Sequence, residues 1–192
     1  MKPTVQLVTS GMGTVGLKKN LTNLSRMAAY VGIPEKNAQR AHGGPITNAQ
    51  LAFIHTRGVR ALSMRREVGA SMKGGMTFEA ATGLYLHSHG SPLYAIPPRP
   101  IIEPAIEANK QPIQEELKLS AKATLDDQKP EAVRHLKLAG QLGENFARAW
   151  FTDPRNHWAP NAPSTIRQKG SSRPLIRFSE LRKAITSLTV TS

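Results

Sequence analysis

Cysteine is absent from the 192 residues of the chain, which excludes a disulfide framework and any zinc site built on thiolates. Aromatic residues make up only 5% of the sequence, although a hydrophobic content of 39% still permits a real core. No apolar run approaches the length of a membrane span, and Met1-Lys2-Pro3 leads into no signal-peptide core. We therefore expect a soluble protein with no membrane partner, made in the cytoplasm and kept or assembled there.

The familiar catalytic signatures are also missing. The sequence contains no G-x-S-x-G, no phosphate-binding G-x-x-x-x-G-K, no H-E-x-x-H and no cysteine nucleophile. Acidic residues concentrate in the central part of the chain with lysines among them, a pattern typical of exposed helix faces. We therefore expect that the protein is not an enzyme and uses no cofactor.

Two short motifs could still suggest a ligand. Gly11 to Gly16 form a G-x-G-x-x-G between a predicted strand and a predicted helix, with Glu35 at about the distance of a ribose-binding carboxylate. No alternation of buried strands and helices follows, so we favour a glycine-rich turn over a dinucleotide site. His87 and His89 would share a strand face, but no third ligand stands nearby, so hydrogen-bonded histidines are a better interpretation than a metal site.

Positive charge is abundant and unevenly distributed. The formal net charge is +13, and residues 1–102 carry twelve basic and three acidic side chains. Residues 154–192 carry seven basic and one acidic side chain, whereas residues 103–153 carry seven basic and nine acidic ones. Self-repulsion of this size favours an acidic or polyanionic partner, and a basic surface without a specific partner is the alternative.

Hydrophobic periodicity predicts the order of elements along the chain. Residues 1–46 are expected to form an amino-terminal strand-helix-strand unit, with strands at 4–9 and 28–33 and a helix at 15–27. Thr47 is expected to cap a short helix that follows it.

The second half of the chain is predicted to contain the largest packed unit. Residues 101–151 are expected to form a helical hairpin, whose first helix is interrupted at Pro112 and whose second begins at Pro130. Residues 152–192 are expected to form a loop, a short helix and a strand. We expect all of these elements to belong to a single domain over 1–192.

Residues 57–76 are read as a flexible basic insertion, because the apolar pattern dissolves and glycines alternate with cations. Such a loop can contact phosphates by charge alone, without reading bases. An insertion that touches nothing is the alternative interpretation. The candidate phosphate contacts are Arg57, Arg60, Arg65, Arg66 and Lys73.

A proline-rich stretch interrupts the chain at Ile96-Pro97-Pro98-Arg99-Pro100. Its three prolines fix φ near −65° and remove backbone donors, so the stretch must be an extended, rigid connector that leads into a helix. Arg99 is fixed within this connector. Its side chain is expected either to contact a neighbouring subunit or to pair within its own chain.

This connector and the stretches before it resemble part of a known family. The segment N-A-Q-L-A-F-I-H-T-R-G at 48–58, and again L-Y-L-H-S-H-G-S-P at 84–92, resemble the "I-H-x-x-G" that precedes "I-P-x-R-P" in the tail-component family of long-tailed double-stranded DNA bacteriophages. Members of this family are called neck, head-tail joining or tail-completion proteins. A duplicated I-H-like stretch with a basic insertion between its copies departs from the family pattern.

The carboxy-terminal segments resemble the same family. W-A-P-N-A-P-S-T-I-R-Q-K-G at 158–170 is similar to "W-x-P-L-x-P-S-T-x-x-x-K", and the segments at 173–176 and 181–185 are similar to "P-L-x-D-T-G-x-L-R-x-S-I". Arg177-Phe178-Ser179 replaces the D-T-G turn, so the chain reversal there is expected to be built differently. The motif residues that we expect to serve structure or a subunit interface are Ile96, Pro97, Pro98, Arg99, Pro100, Trp158, Pro163, Thr165, Lys169, Leu175 and Leu181.

The resemblance implies an α+β fold, in which a small, mostly antiparallel sheet packs against a long helix or helical hairpin, with extended loops. It further implies a virion protein that forms a homo-oligomeric ring, with six copies, at the junction of tail tube and head. The implied partners are the head connector or stopper, the tail tube or tail terminator, and genomic DNA bound without sequence preference. A basic nucleic-acid-binding protein with no role in a particle is the alternative.

Overall fold

Short strands and longer helices alternate irregularly in the computed structural model, which describes residues 14–41, 46–60, 62–78, 80–81, 84–85 and 94–191. The helices are α1 (Thr14–Ser25), α2 (Asn48–Arg57), α3 (Leu62–Lys73), α4 (Ile102–Ala108), α5 (Lys110–Leu125), α6 (Lys129–Ala149), α7 (Pro163–Lys169) and α8 (Glu180–Ala184). The strands are β1 (Ala28–Gly32), β2 (Val59–Arg60), β3 (Tyr94–Ile96) and β4 (Thr186–Val190). Strand β1 pairs with β4, and β2 pairs antiparallel with β3. The predicted α+β class is confirmed.

The described residues group into two units, which are described separately. The first takes the described parts of 1–31, 109–143 and 187–192, and the second those of 32–108 and 144–186. Helix α6 contributes to both, up to Gly143 in the first unit and from Glu144 in the second. The single domain predicted for 1–192 stays a prediction.

The first unit is built on the hairpin of α5 and α6, which confirms the predicted pair of helices. The two helices are joined by a hydrogen bond that the buried Ser120 hydroxyl donates to the Ala132 carbonyl at 2.8 Å. A hydrogen bond from Asn20 Nδ2 to the Leu125 carbonyl, at 3.2 Å, joins helix α1 to the end of α5. The sheet lies against α6, where a Cβ on Gly140 would approach Ser187 Cβ to 3.2 Å.

The break in the first helix was predicted at the wrong residue. The chain leaves the helical path at Asn109, between α4 and α5, and Pro112 lies in the first turn of α5. The first backbone N–H groups of a helix have no intrahelical acceptor, so a proline there removes no hydrogen bond. Pro112 is therefore accommodated in a first turn and does not interrupt a helix.

The basic insertion predicted as a mobile loop at 57–76 contains a regular helix, and this prediction was wrong. Residues 59–60 form β2, and α3 runs from Leu62 to Lys73. Val68 of α3 is buried in a small cluster with Ala81 and Tyr85. A single apolar anchor, together with helix-compatible residues elsewhere, is sufficient for a packed helix even though Gly69 costs about 1 kcal/mol relative to alanine.

The second unit joins segments that are far apart in sequence. Its core contains Ile101, Ala105, Ala147, Trp150, Phe151, Leu181, Ala184 and Ile185. Arg148 on α6 donates from Nη2 to the Ile185 carbonyl at 2.7 Å. Asn37 Nδ2 donates to the Ala184 carbonyl at 3.4 Å across 147 positions of sequence.

Local helix signals in this unit are found at the ends of α2 and α7. Thr47 caps α2 as predicted, and Gln50 completes a reciprocal capping box with it. Helix α7 begins at Pro163 with Ala162 at the cap position, and it ends at Gly170, which has a left-handed backbone conformation. The strand predicted at 4–9, the first glycines of the G-x-G-x-x-G motif and the pair His87 and His89 lie outside the described residues.

Candidate functional site

The proline connector is held from one side by the end of α2 and the turn after it. Strand β3 pairs with β2 through Val59 and Ile96, and the Arg99 backbone N–H then donates to the His55 carbonyl at 2.6 Å. Gly58 makes this approach possible, because it has φ +70° and a Cβ there would lie 2.7 Å from the Ile96 carbonyl oxygen. The glycine of the I-H-x-x-G segment therefore positions the I-P-x-R-P segment.

Arg99 attaches the connector to the carboxy-terminal segment of the same unit. Its side chain is only 5% exposed. Nε and Nη2 donate to the Ala159 carbonyl at 3.1 and 2.8 Å, and Nη2 also donates to the Pro160 carbonyl at 3.0 Å. Of the two roles expected for Arg99, the described residues bear out pairing within its own chain.

Trp158 provides a second attachment next to Arg99. Its indole N–H donates to the Pro100 carbonyl at 3.1 Å, and its ring meets Phe151 edge to face with centroids 5.7 Å apart. Such aromatic contacts contribute about 0.5–1.5 kcal/mol beyond the burial of area. Both ends of the Arg99-Pro100 dipeptide are thus tied to residues about 60 positions later in the sequence.

A cleft of about 600 Å³ opens where these segments meet, within the size range of ligand-binding clefts. Its lining combines cationic side chains with aliphatic residues and prolines. The lining residues are Arg40, Leu51, His55, Ile96, Pro97, Arg99, Pro160, Asn161, Ala162, Pro163, Thr165, Lys169, Leu175, Arg177 and Leu181.

The charges of the cleft are mainly positive. Arg40, Arg99, Lys169 and Arg177 line it, and none of the lining residues that the structure describes is acidic. Burial, followed by the nearby charges of Arg99 and Arg177, lowers the pKa of Lys169. The Lys169 ammonium donates to the Arg173 carbonyl, and Glu180 lies 3.9 Å from Arg40 Nε outside the lining. The cleft therefore concentrates like charges that an anion would stabilise.

His55 is an uncharged side chain of this lining with a perturbed pKa. Burial and then the positive charge of Arg99 lower the pKa of His55 to about 4, so the ring is uncharged near neutral pH. Its Nδ1 is buried and makes no hydrogen bond within the described part of the chain. A buried nitrogen without a partner destabilises the unit by about 1–3 kcal/mol, which is typical of a position kept for function.

Backbone strain is found at the same cleft. Leu175 has φ 56° and Ser179, four residues later, has φ 59°, in a region that non-glycine residues rarely adopt. Such conformations cost about 1–3 kcal/mol each and cluster at binding sites. Ser179 occupies the cap position of α8, but its side chain makes no capping hydrogen bond.

The structure brings together most of the motif residues that the sequence singled out. Eight of them line the cleft: Ile96, Pro97, Arg99, Pro163, Thr165, Lys169, Leu175 and Leu181. The other three adjoin it, since Pro98 packs on Gly58 and Pro100 accepts from Trp158. Sequence reasoning did not assign Arg40, His55, Asn161 or Arg177 to the site. His55, Asn161 and Arg177 all lie in or beside segments that carry the resemblance, whereas Arg40 lies outside them.

The five candidate phosphate contacts lie outside the cleft. Arg57 and Arg60 stack on Phe53 and Phe78, with 4.9 and 4.6 Å between guanidinium carbon and ring centroid. Arg65, Arg66 and Lys73 are exposed on α3. At 3.6 residues per turn, Arg66 and Lys73 lie on the side of the helix away from the buried Val68, and Arg65 lies at the edge of that side; we call these three cations the α3 basic stripe.

Other site types and the comparisons with known proteins add no assignment. Among the described residues, no group of three histidine or acidic side chains could hold a metal ion, and no helix is long and apolar enough to cross a membrane. No protein-family model, no curated protein and no solved structure matches the chain.

Proposed function

We propose that the chain is a structural subunit of a tailed-phage virion, a neck or tail-completion protein whose ring joins the tail tube to the head connector and lets DNA pass. The observation that carries the proposal is the attachment of Arg99 to Ala159 and Pro160. It joins the two sequence clusters that resemble the phage family, and their motif residues line one cleft. Such a role needs no catalytic group and no cofactor.

Rigidity at the cleft supports a role in assembly. The connector has a fixed φ at three of its positions, and both Arg99 and Trp158 hold it by hydrogen bonds to backbone carbonyls. A subunit with a preformed edge loses little conformational entropy when a neighbour docks. In a ring of identical subunits, this small loss of conformational entropy applies at each interface.

The α3 basic stripe supports contact with DNA in the lumen. Its three exposed cations share one helix face, and duplex DNA is bound by such surfaces through its phosphates without reading of bases. The same stripe is the observation that favours the second candidate, a basic nucleic-acid-binding protein outside any particle. The two candidate functions differ in whether the chain assembles into a ring within a particle.

The assembly state of the purified full-length chain tests the proposal. Native mass spectrometry and negative-stain imaging should give a closed ring with one mass, for which we expect six copies. Antibody labelling of purified phage particles should place the protein at the head-tail junction. A chain that stays monomeric at high concentration and is missing from particles would rule out the neck role.

Salt titration of DNA binding tests the α3 basic stripe. Replacing Arg65, Arg66 and Lys73 together by serine should weaken binding to any duplex and reduce the slope of log K against log salt by about 0.9 for each lost phosphate contact. A matched control replaces the exposed Lys118, Lys122 and Lys137 by serine, which removes the same charge from α5 and α6. Equal slopes for the two triple variants would exclude the stripe from DNA binding.

A further inference from the structure

The described lining of the cleft carries several cationic side chains and no acidic one. Arg99, Lys169 and Arg177 all line it, and Lys169 lies close enough to the two arginines for their charges to disfavour its protonation. Arg99 Nη1 makes no hydrogen bond within the described residues, whereas its Nε and Nη2 are occupied by carbonyls. An anion that enters the cleft would relieve this repulsion.

The shape of the cleft decides which anion fits. Leu51, Ile96 and Leu181 contribute apolar walls, and the Arg99 side chain lies almost completely buried at the base. The phosphates of duplex DNA lie on a convex rod and cannot reach such a concave, partly apolar site. A carboxylate at the tip of a protein turn can enter, and guanidinium groups bind carboxylates well.

The chain itself carries a turn of this kind between α5 and α6. Asp126 and Asp127 are adjacent and exposed, and neither carboxylate forms an ion pair within the described residues. Asp127 has φ 58°, and the backbone N–H of Gln128 donates to the Ala123 carbonyl at 2.8 Å. The turn is therefore a firm, convex tip that presents two negative charges at little cost in entropy.

We infer that the turn Asp126-Asp127 of one copy docks into the Arg99-Lys169-Arg177 cleft of the next copy. The two surfaces are different, so the contact is head-to-tail, and repetition of a head-to-tail contact closes a ring when the rotation permits. This inference rests on the proposed ring and names the interface that would build it. The occupant is a second copy of this chain, and a carboxylate from another protein is an outcome of the test.

Charge reversal tests the contact from both sides. Asp126→Lys and Arg177→Glu should each weaken ring formation at least tenfold in concentration, as measured by sedimentation and native mass spectrometry. The double variant should restore the ring to within about threefold of the wild type, because the pair then has opposite charges again. Thermal unfolding of each variant confirms that it is folded.

Two matched variants control for nonspecific charge effects. Glu115→Lys changes an exposed acid on α5 away from the turn, and Arg173→Glu changes an exposed arginine that does not line the cleft. Both controls should assemble like the wild type. A double variant that is no better than its single variants would overturn the inference.

The outcomes separate this inference from the proposed function. A wild-type chain that forms no ring overturns both. A ring that is insensitive to both reversals leaves the proposed function intact and overturns the docking of the turn. A ring that is lost with Arg177→Glu but not with Asp126→Lys assigns the cleft to a carboxylate from elsewhere, which also overturns the proposed occupant.

Discussion

Arg99 is expected to stabilise the monomer, because its guanidinium joins two segments of one unit. Arg99→Met keeps an apolar stem in the buried space but removes every donor to the Ala159 and Pro160 carbonyls. A hydrogen bond from a charged group contributes about 1.5–3 kcal/mol. With two carbonyl acceptors left without this partner, the free energy of unfolding should fall by about 3–5 kcal/mol.

Arg99→Lys should give an intermediate loss. Lysine keeps the positive charge but offers one nitrogen in place of the planar guanidinium, so it cannot reproduce the contacts of Nε and Nη2 together. A loss of about half that of Arg99→Met is expected. The pair of variants therefore distinguishes the geometry of the donors from the charge alone.

Urea titration and thermal melting at a protein concentration low enough to keep the chain monomeric measure these losses. For a chain of this size, each kcal/mol lowers the melting temperature by about 2–4 °C, so Arg99→Met should melt roughly 10 °C earlier. Arg167→Met, at an exposed position on α7, should stay within about 0.5 kcal/mol of the wild type. If Arg99→Met matches Arg167→Met in the monomer but fails to assemble, the guanidinium serves a neighbour and our reasoning is refuted.

Three further perturbations test the surroundings of the cleft. Gly58→Ala should destabilise the fold by about 3 kcal/mol or more, since its Cβ would meet backbone atoms at 2.7 and 2.8 Å. Gly170→Ala, which has a similar φ but open space around it, should cost only about 1–2 kcal/mol in the same urea titration, and equal costs would contradict the predicted clash. The folded pKa of His55 is about 4, below the ordinary 6.5, so the unfolded chain binds the proton first as the pH falls from 6.5 to 4 and stability is lost over that range. The free energy of unfolding of the wild type should therefore fall between about pH 7 and pH 5, and, after allowance for the partial exposure of His55, His55→Gln should make that fall smaller by about 1 kcal/mol. If the urea midpoint is the same at both pH values in the wild type and in the variant, the prediction is refuted. Trp158→Phe should lower the free energy of unfolding by about 1 kcal/mol through loss of the hydrogen bond to Pro100, and a rise in stability would show that this bond is not stabilising.

Features specified by neighbouring residues could be predicted from the sequence. Thr47 and Gln50 stand three positions apart, which is the spacing of a capping box, and both hydrogen bonds are present. The hairpin of α5 and α6 was predictable from its apolar periodicity and from Pro130 in the first turn of the second helix. The α+β class followed from the resemblance, and the structure confirms it.

Features that depend on distant residues could not be predicted in the same way. The partners of Arg99 are backbone carbonyls, which every residue has, so no side-chain pattern marks Ala159 and Pro160 as acceptors. Arg40 and Arg177 belong to the site because folding brings these two distant residues to the same cleft. Helix α3 was missed because tertiary burial of Val68 outweighs a polar, glycine-containing sequence.

The hydrogen bond between Asn37 and Ala184 can form only after residue 184 has been synthesised. The two residues are 147 positions apart, so at roughly 5–20 residues per second the ribosome needs about 7–30 s to supply the acceptor after the donor. Until Trp150 is made, α2 can form, but neither the acceptors of Arg99 nor the later core residues are present. The nascent chain therefore keeps the apolar surface of its second unit uncovered until residues 150–185 have been made, and until then that surface is open to chaperones and to aggregation.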